Sequence, residues 1–327
     1  MRPALYPIVF DPILKPVLWG GSKICAFKGL NVQLDGIGES WEISDVKGSV
    51  SEVSAGALKG KTLQRLIETY QELFVGEKVY QRFGNQFPLL IKFIDAKEDL
   101  SIQVHPTDEL ARKRHQTNGK TEMWYVIEAG ERSAIYTGFN YPYKREDVLR
   151  HINGHSLAGL LNRETPLPGD VFFLPAGRVH AIGGGTFLVE IQQNSDVTYR
   201  LWDYDRTDAS GRKRDLHVDY ALDAIDYRPY SHYKTSYTRH KGERNHIQDC
   251  PYFSTGLIDA DRVMRIDYKG LDSFVIWICV EGQASYMSRH KHKGSLRKGQ
   301  TVLFPACDHP LDLIPDSDTK ILEVYIN

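Results

Sequence analysis

Short apolar runs bounded by Gly, Pro, Asn and Asp dominate the middle of the chain, at residues 87–94, 101–105, 122–128, 133–137, 171–174 and 187–192. They are rich in Val, Ile, Phe and Tyr, whose side chains suit a pleated, half-buried surface better than a helix. Their close spacing predicts an all-β sandwich or barrel. Helical periodicity is strongest over 62–74, where Thr62 stands at the cap and Leu63, Leu66, Ile67 and Tyr70 share one face. Shorter helices are expected over 144–161 and 219–226.

The strand pattern occurs twice. Pro168-Gly169-Asp170-Val171-Phe172-Phe173-Leu174-Pro175-Ala176-Gly177 is echoed by Lys298-Gly299-Gln300-Thr301-Val302-Leu303-Phe304-Pro305-Ala306-Cys307. Upstream, Trp124-Tyr125-Val126-Ile127-Glu128-Ala129-Gly130 matches Ile276-Trp277-Ile278-Cys279-Val280-Glu281-Gly282. Two copies of one β unit follow, with a first domain at 1–235, a second at 236–327, and the junction inside the polar stretch 230–248.

Mapping this repeat onto candidate ligands puts Phe274 where the first copy has Glu122, and Pro310 where it has His180. The second domain is therefore expected to lack metal ligands and to serve structure or an interface. The cationic stretch Arg289-His290-Lys291-His292-Lys293 reads as a solvated loop.

In the first copy, Ser101, Gln103 and His105 alternate along a strand and so project from one face. Glu122 and His180 complete a set of two imidazoles, one carboxylate and one amide. Such N/O donors without thiolate suit Zn²⁺ with an open position. Gln103 is chemically the least usual of the four, its alternative role being a hydrogen bond to another ligand. Lys120 shares the face of Glu122. Glu190, Gln192, Asn194, Asp196, Thr198 and Arg200 would share a face on a continuous strand, which keeps Glu190 and Asp196 as alternative bases or as orienters of Arg200.

Composition narrows the partners. The chain has 327 residues, 41% of them hydrophobic, and a formal charge of −1, so no global field draws it to nucleic acid or an anionic membrane. No apolar run reaches the roughly 18 residues of a membrane span, and no obligate protein partner is indicated. Cys25, Cys250, Cys279 and Cys307 form no CxxC pair and the N-terminus lacks a long apolar core, consistent with free thiols in a reducing cytoplasm.

With these motifs in place, the chain resembles class I mannose-6-phosphate isomerases of the short bacterial type, in the cupin superfamily. The matching stretches are Phe87-Pro88-Leu89-Leu90-Ile91-Lys92, 100–106, 119–125, 175–183 and Gln192-Gln193-Asn194-Ser195-Asp196-Val197-Thr198-Tyr199-Arg200. The resemblance implies a mainly β fold of two cupin-type barrel or jelly-roll domains with a few short helices. It also implies one Zn²⁺ per chain on Gln103, His105, Glu122 and His180, and reversible conversion of mannose 6-phosphate to fructose 6-phosphate.

Arg200 falls where the family has an essential arginine and Lys120 where it has a lysine; Lys92 and Ser101 fall where it holds the substrate phosphate. Gly119 and the stretch Tyr199-Arg200-Leu201-Trp202-Asp203-Tyr204-Asp205-Arg206 depart from longer members, with Arg206 supplying a cation where they use lysine. The element Glu39-Ser40-Trp41-Glu42 also fits, with Trp41 expected in the core and Glu42 at the pocket border.

Two other functions fit the sequence. One is a non-catalytic, sugar-binding or regulatory double-cupin protein that keeps its metal to tie strands together; the other is an isomerase of a different sugar phosphate. Lys120 and Arg200 favour catalysis, because a binding module has no need of a base and a charged fork aimed at the same carbons.

Overall fold

A computed structural model describes residues 4–32 and 34–327. The fold is mainly β. In the first half, a seven-stranded antiparallel sheet runs in the order Ile13–Gly21, Ile37–Ile43, Leu89–Asp95, Thr186–Gln193, Glu122–Ala129, Val171–Leu174, Lys234–Thr235. A five-stranded sheet faces it, ordered Tyr199–Trp202, Ile102–Val104, His180–Ile182, Ile135–Phe139, Leu161–Glu164. Ile94, Trp124, Val126, Phe172 and Leu188 of the large sheet meet Ile135 and Ile182 of the small one in a common core.

The second half repeats this plan with five strands facing four. Its interior is filled by Trp277, Val302, Phe304 and Ile321 against Tyr286, Leu296, Leu311 and Leu313. The paired sheets are open, and among the described residues no ladder joins the two sheets of either unit, so the expected barrel appears as a sandwich.

The two large sheets also stand back to back. Leu89, Ile91, Phe93, Met123, Val189 and Ile191 project from the far face of the first and share one core with Leu257, Ile276, Ile278, Leu322 and Val324 of the second. Both faces of these strands are therefore buried, which is why they read as nearly unbroken apolar runs. Ile8 exchanges backbone hydrogen bonds of 2.7 and 2.8 Å with Leu303, so the beginning of the chain is stitched to the second unit.

The helix expected over 62–74 is shorter than its pattern. Thr62 caps Leu63–Tyr70 by accepting from the Arg65 amide at 3.2 Å, and the chain then breaks at Gln71, where φ is 49°. Glu72–Val75 and Glu77–Phe83 follow around Gly76, where a Cβ would lie 2.3 Å from the Asp272 carbonyl oxygen. That contact docks the helix, since Asp272 accepts from the Glu77 and Lys78 amides at 2.8 Å.

The stretch 144–161 resolves into the helix Arg145–Asn153, a 3₁₀ turn Leu157–Leu160 and the start of a strand; the last expected helix is Val218–Ala224. An unexpected helix, Asp108–His115, follows the ligand strand. It buries only Ala111, so it carried almost no apolar periodicity.

The repeat is in register one residue away from the sequence alignment. Leu174 pairs with Glu122 in the first unit, and the matching Phe304 pairs with Val275 in the second. Val275, not Phe274, is the counterpart of Glu122; Phe274 points into the back-to-back core. The 289–293 turn is exposed at Arg289, His290, Lys291 and Lys293, as expected of a solvated loop, and His290 and His292 tie it down by directing Nδ1 at the fully buried Asp308, at 2.9 and 3.4 Å.

Candidate metal centre and catalytic cavity

His180, Gln103 and Arg200 are direct cross-strand neighbours in the small sheet, and Glu122 projects from the large sheet opposite. His105 follows the end of the Gln103 strand. Strand pairing thus brings the ligand set together at one end of the sandwich. His105 Nε2 lies 3.4 Å from Glu122 Oε2, His180 Nε2 lies 3.2 Å from Oε1, and the Gln103 amide lies 3.3 Å from His180 Nε2. A tetrahedral ion with ligand bonds of about 2.0–2.1 Å has ligand–ligand edges near 3.3 Å.

The tautomers also fit a metal. His105 Nδ1 is engaged by the Val197 carbonyl at 3.0 Å and His180 Nδ1 by that of Arg178 at 2.9 Å, leaving each Nε2 facing inward. His105 Nε2 and both Glu122 oxygens are buried without a hydrogen-bond partner. Buried lone pairs in such a group carry a desolvation cost that a cation removes. Burial, and secondly the Lys120 charge, pushes the His105 pKa down to about 3; burial likewise lowers His180. Burial alone would raise the Glu122 pKa, but Lys120 and the two imidazoles outweigh it and hold the carboxylate ionised.

A cavity of about 170 Å³ opens beside this group. Its floor is a rung across four strands, Trp41, Lys92, Glu190 and Trp124, each paired in register with the next. Lys92 Nζ sits 2.9 Å from Glu190 Oε1 and 3.7 Å from Glu39 Oε2, while Trp124 and Trp41 donate their indole N–H to the same two carboxylates at 2.8 and 2.6 Å. Burial works against the charge on Lys92, yet Glu190 and Glu39 overcome it and raise its pKa. Glu39 is held below the usual carboxylate range, burial being outweighed by Lys92 and the Trp41 bond.

On another wall, Arg200 donates to Ser101 Oγ at 3.3 Å and to the Asp215 carbonyl at 2.9 Å, with Arg214 close by. Burial, then repulsion from Arg214, lowers the Arg200 pKa.

Ser101, Gln103, Lys120, Lys92, Glu190, Asp196 and Arg200 all reach this cavity, although the strand from Glu190 to Arg200 is interrupted and its two pieces lie in opposite sheets. Lys120 Nζ stands 3.4 Å from Glu122 Oε2. Arg206 does not line the cavity; it is turned to Asp203 Oδ1 at 2.6 Å and to the Asp99 carbonyl. Glu42 is on the opposite face from the pocket, bonded to Lys28 at 2.7 Å, and Glu39 and Trp41 take the pocket positions instead. Arg214 is the other residue missed. A larger cleft of about 380 Å³ lies at the seam of the two units, away from these groups, edged by the exposed Lys78, Arg82 and Lys269.

Two imidazoles and a carboxylate, with His105 Nε2 and both Glu122 oxygens unpartnered, set between stacked β-sheets beside a cavity of fixed charges, form a candidate metal site on a cupin-like sandwich. The chain belongs to the type I phosphomannose isomerase family. The family's description "Phosphomannose isomerase type I, catalytic domain" matches residues 10–129. Mannose-6-phosphate isomerase ManA of Bacillus subtilis is 35% identical over 308 residues, 91% of this chain and 93% of that protein. The putative mannose-6-phosphate isomerase YvyI of the same organism is 36% identical over 92% of this chain and 93% of its own. The crystal structure of a Bacillus subtilis mannose 6-phosphate isomerase superposes with a TM-score of 0.88 at 32% identity, covering 98% of this chain and 99% of that one.

Proposed function

We propose that the chain interconverts mannose 6-phosphate and fructose 6-phosphate through an enediol-like intermediate, with Zn²⁺ held by His105, Glu122, His180 and Gln103. The observation that carries this reading is the placement of the orphaned ligand atoms at the edge of a cavity rich in fixed charges. A bound Zn²⁺ would polarise a sugar oxygen there. Lys120, beside Glu122, adds positive charge and a proton donor at the same edge.

The cavity carboxylates are not equivalent. Glu39 and Glu190 are committed to Lys92 and the two indoles, whereas Asp196 has no ion-pair or hydrogen-bond partner among the described residues and stands exposed at the rim. That freedom supports Asp196 as the carrier of the proton between C1 and C2, with Glu190 holding Lys92 in place. Lys92 with its two carboxylates is a net negative group and faces the sugar hydroxyls better than a dianion. The phosphate belongs at the wall where Ser101 and Arg200 stand, and its binding energy aligns the reacting carbons. Arg200, next to Gln103, also spreads fixed positive charge towards the reacting oxygens.

The domain boundary near residue 235 is supported by the change of partner between Lys234–Thr235, which pairs with the first large sheet, and Glu243–Asp249, which pairs within the second unit. Four free cysteines among the described residues support a reducing cytoplasmic setting, and no helix described is long and apolar enough to cross a membrane.

A coupled assay on mannose 6-phosphate, before and after dialysis against a chelator, tests the reading. Activity should vanish and return with Zn²⁺; full turnover by verified metal-free protein would refute it.

A further inference from the structure

The segment 203–217 leaves the small sheet after Trp202 and folds back on it. Thr207 and Lys213 bridge at its base, and the His217 amide returns to the Arg200 carbonyl at 2.8 Å. This excursion carries Arg206 and Arg214, and both grip the buried carboxylate of Asp203. The two arginines are not interchangeable. Arg206 turns its remaining donors to the Asp203 and Asp99 carbonyls, at 3.3 and 2.6 Å, and towards the exposed Glu98 carboxylate at 3.8 Å, and stays out of the cavity. Arg214, held by Nε and one terminal nitrogen on Asp203, lines the cavity beside Arg200 and Ser101.

Charge accounting points the same way. Asp203 is shared by both guanidiniums; Arg206 has a second, looser carboxylate in Glu98, whereas Arg214 has Asp203 alone. Arg200 has only neutral acceptors, the Ser101 hydroxyl and the Asp215 carbonyl. This corner of the cavity thus holds two neighbouring guanidiniums with excess positive charge, at a cost in mutual repulsion that an anion would remove. A phosphate dianion with three acceptor oxygens matches two forks and a hydroxyl.

We propose that Arg214 is a substrate-binding residue that supplies the second guanidinium of the phosphate subsite, with Asp203 holding it in position and Arg206 bracing Asp203 from outside the cavity. This rests on the sugar-phosphate reading above and names the residue that selects phosphorylated over free sugar.

The test compares wild type with Arg214→Gln, Arg214→Lys and Arg206→Gln, using steady-state kinetics on mannose 6-phosphate and competition by inorganic phosphate. Arg214→Gln should raise KM about 10- to 100-fold and weaken phosphate inhibition by a similar factor, with kcat changed less than about threefold, the pattern of lost uniform binding. Arg214→Lys, which keeps charge but not the fork, should fall between and decides the question if the glutamine variant does not fold. Arg206→Gln should change KM less than about threefold.

A folded Arg214→Gln with wild-type KM and phosphate inhibition, or a larger KM effect at Arg206, would overturn the proposal. Thermal stabilisation by inorganic phosphate separates this idea from the reaction assignment. If wild type does not isomerise mannose 6-phosphate, that assignment fails, while loss of phosphate stabilisation in Arg214→Gln still supports the subsite and its retention refutes it.

Discussion

The two sandwiches are built alike and filled differently. At the position where the first unit places Glu122, opposite Leu174, the second places Val275, opposite Phe304. The first interior continues through Lys92 and Glu190; the second through Trp277, Cys279 and Ile321. An apolar filling needs no partners and stabilises by burial alone. A filling of ions holds together only if each charge finds partners, so the first unit carries an interlocked set in which Lys92 is shared by Glu39 and Glu190 and each carboxylate also accepts from an indole N–H. The candidate site resides in the filling, and the shared framework is what allows the substitution.

The sharpest way to break the contrast is at Glu122. Glu122→Gln preserves shape but removes the charge between the imidazoles; activity should fall at least ~10³-fold, and elemental analysis should show the metal lost. Next in size, Lys92→Met would leave Glu39 and Glu190 facing each other without a cation. Urea unfolding should show a loss of about 3 kcal/mol, with turnover reduced as well; unchanged stability would contradict the ion-pair floor.

The converse change, Val275→Glu, puts a carboxylate into the apolar interior with no partner. It should cost about 2–4 kcal/mol in thermal or urea unfolding, yet leave turnover per folded molecule and metal content as they were, since one carboxylate there does not make a site.

The smallest effect is pH-dependent. In chelated protein the native imidazoles refuse protons that the unfolded chain accepts at its ordinary pKa of about 6.5. Stability from this source is intact above that pH and falls as acid is added down to about 3, where His105 titrates. Each imidazole contributes a slope of at most ~1.4 kcal/mol per pH unit. The second unit supplies no such buried ligand pair, so a flat acid limb down to pH 4 in chelated protein would count against the burial described.

Strand parity made the candidate ligand set legible, because a period of two survives small errors in strand ends. Lys120 was legible from its place two residues before Glu122, and Glu190, Asp196 and Arg200 for a partly wrong reason: Glu190 and Arg200 stand in opposite sheets, not along one strand. Glu39 was hidden because Glu42 offered an equivalent charge one strand face away, and only the pairing of Trp41 with Lys92 shows which face looks inward. Arg214 was invisible, since nothing in the polar stretch 203–217 indicates that it folds back over its own strand. The slip in the repeat has a simple cause. Trp124 precedes Gly130 by six residues and Trp277 precedes Gly282 by five, so aligning the glycines displaces the tryptophans.

The back-to-back core joins the fates of the two halves. Leu89, Ile91, Phe93 and Val189 turn one face to the second unit while Lys92 and Glu190 turn the other to the cavity. Cutting the chain near residue 235 would strip that apolar sheet of its cover and leave a broad sticky surface. The unit that carries the cavity is therefore not a minimal fold that can be excised. Its partner, contributing no group to the cavity lining, acts as the bench to which the working sheet is bolted, and damage in Leu257 or Ile276 should be felt as lost alignment on the far side.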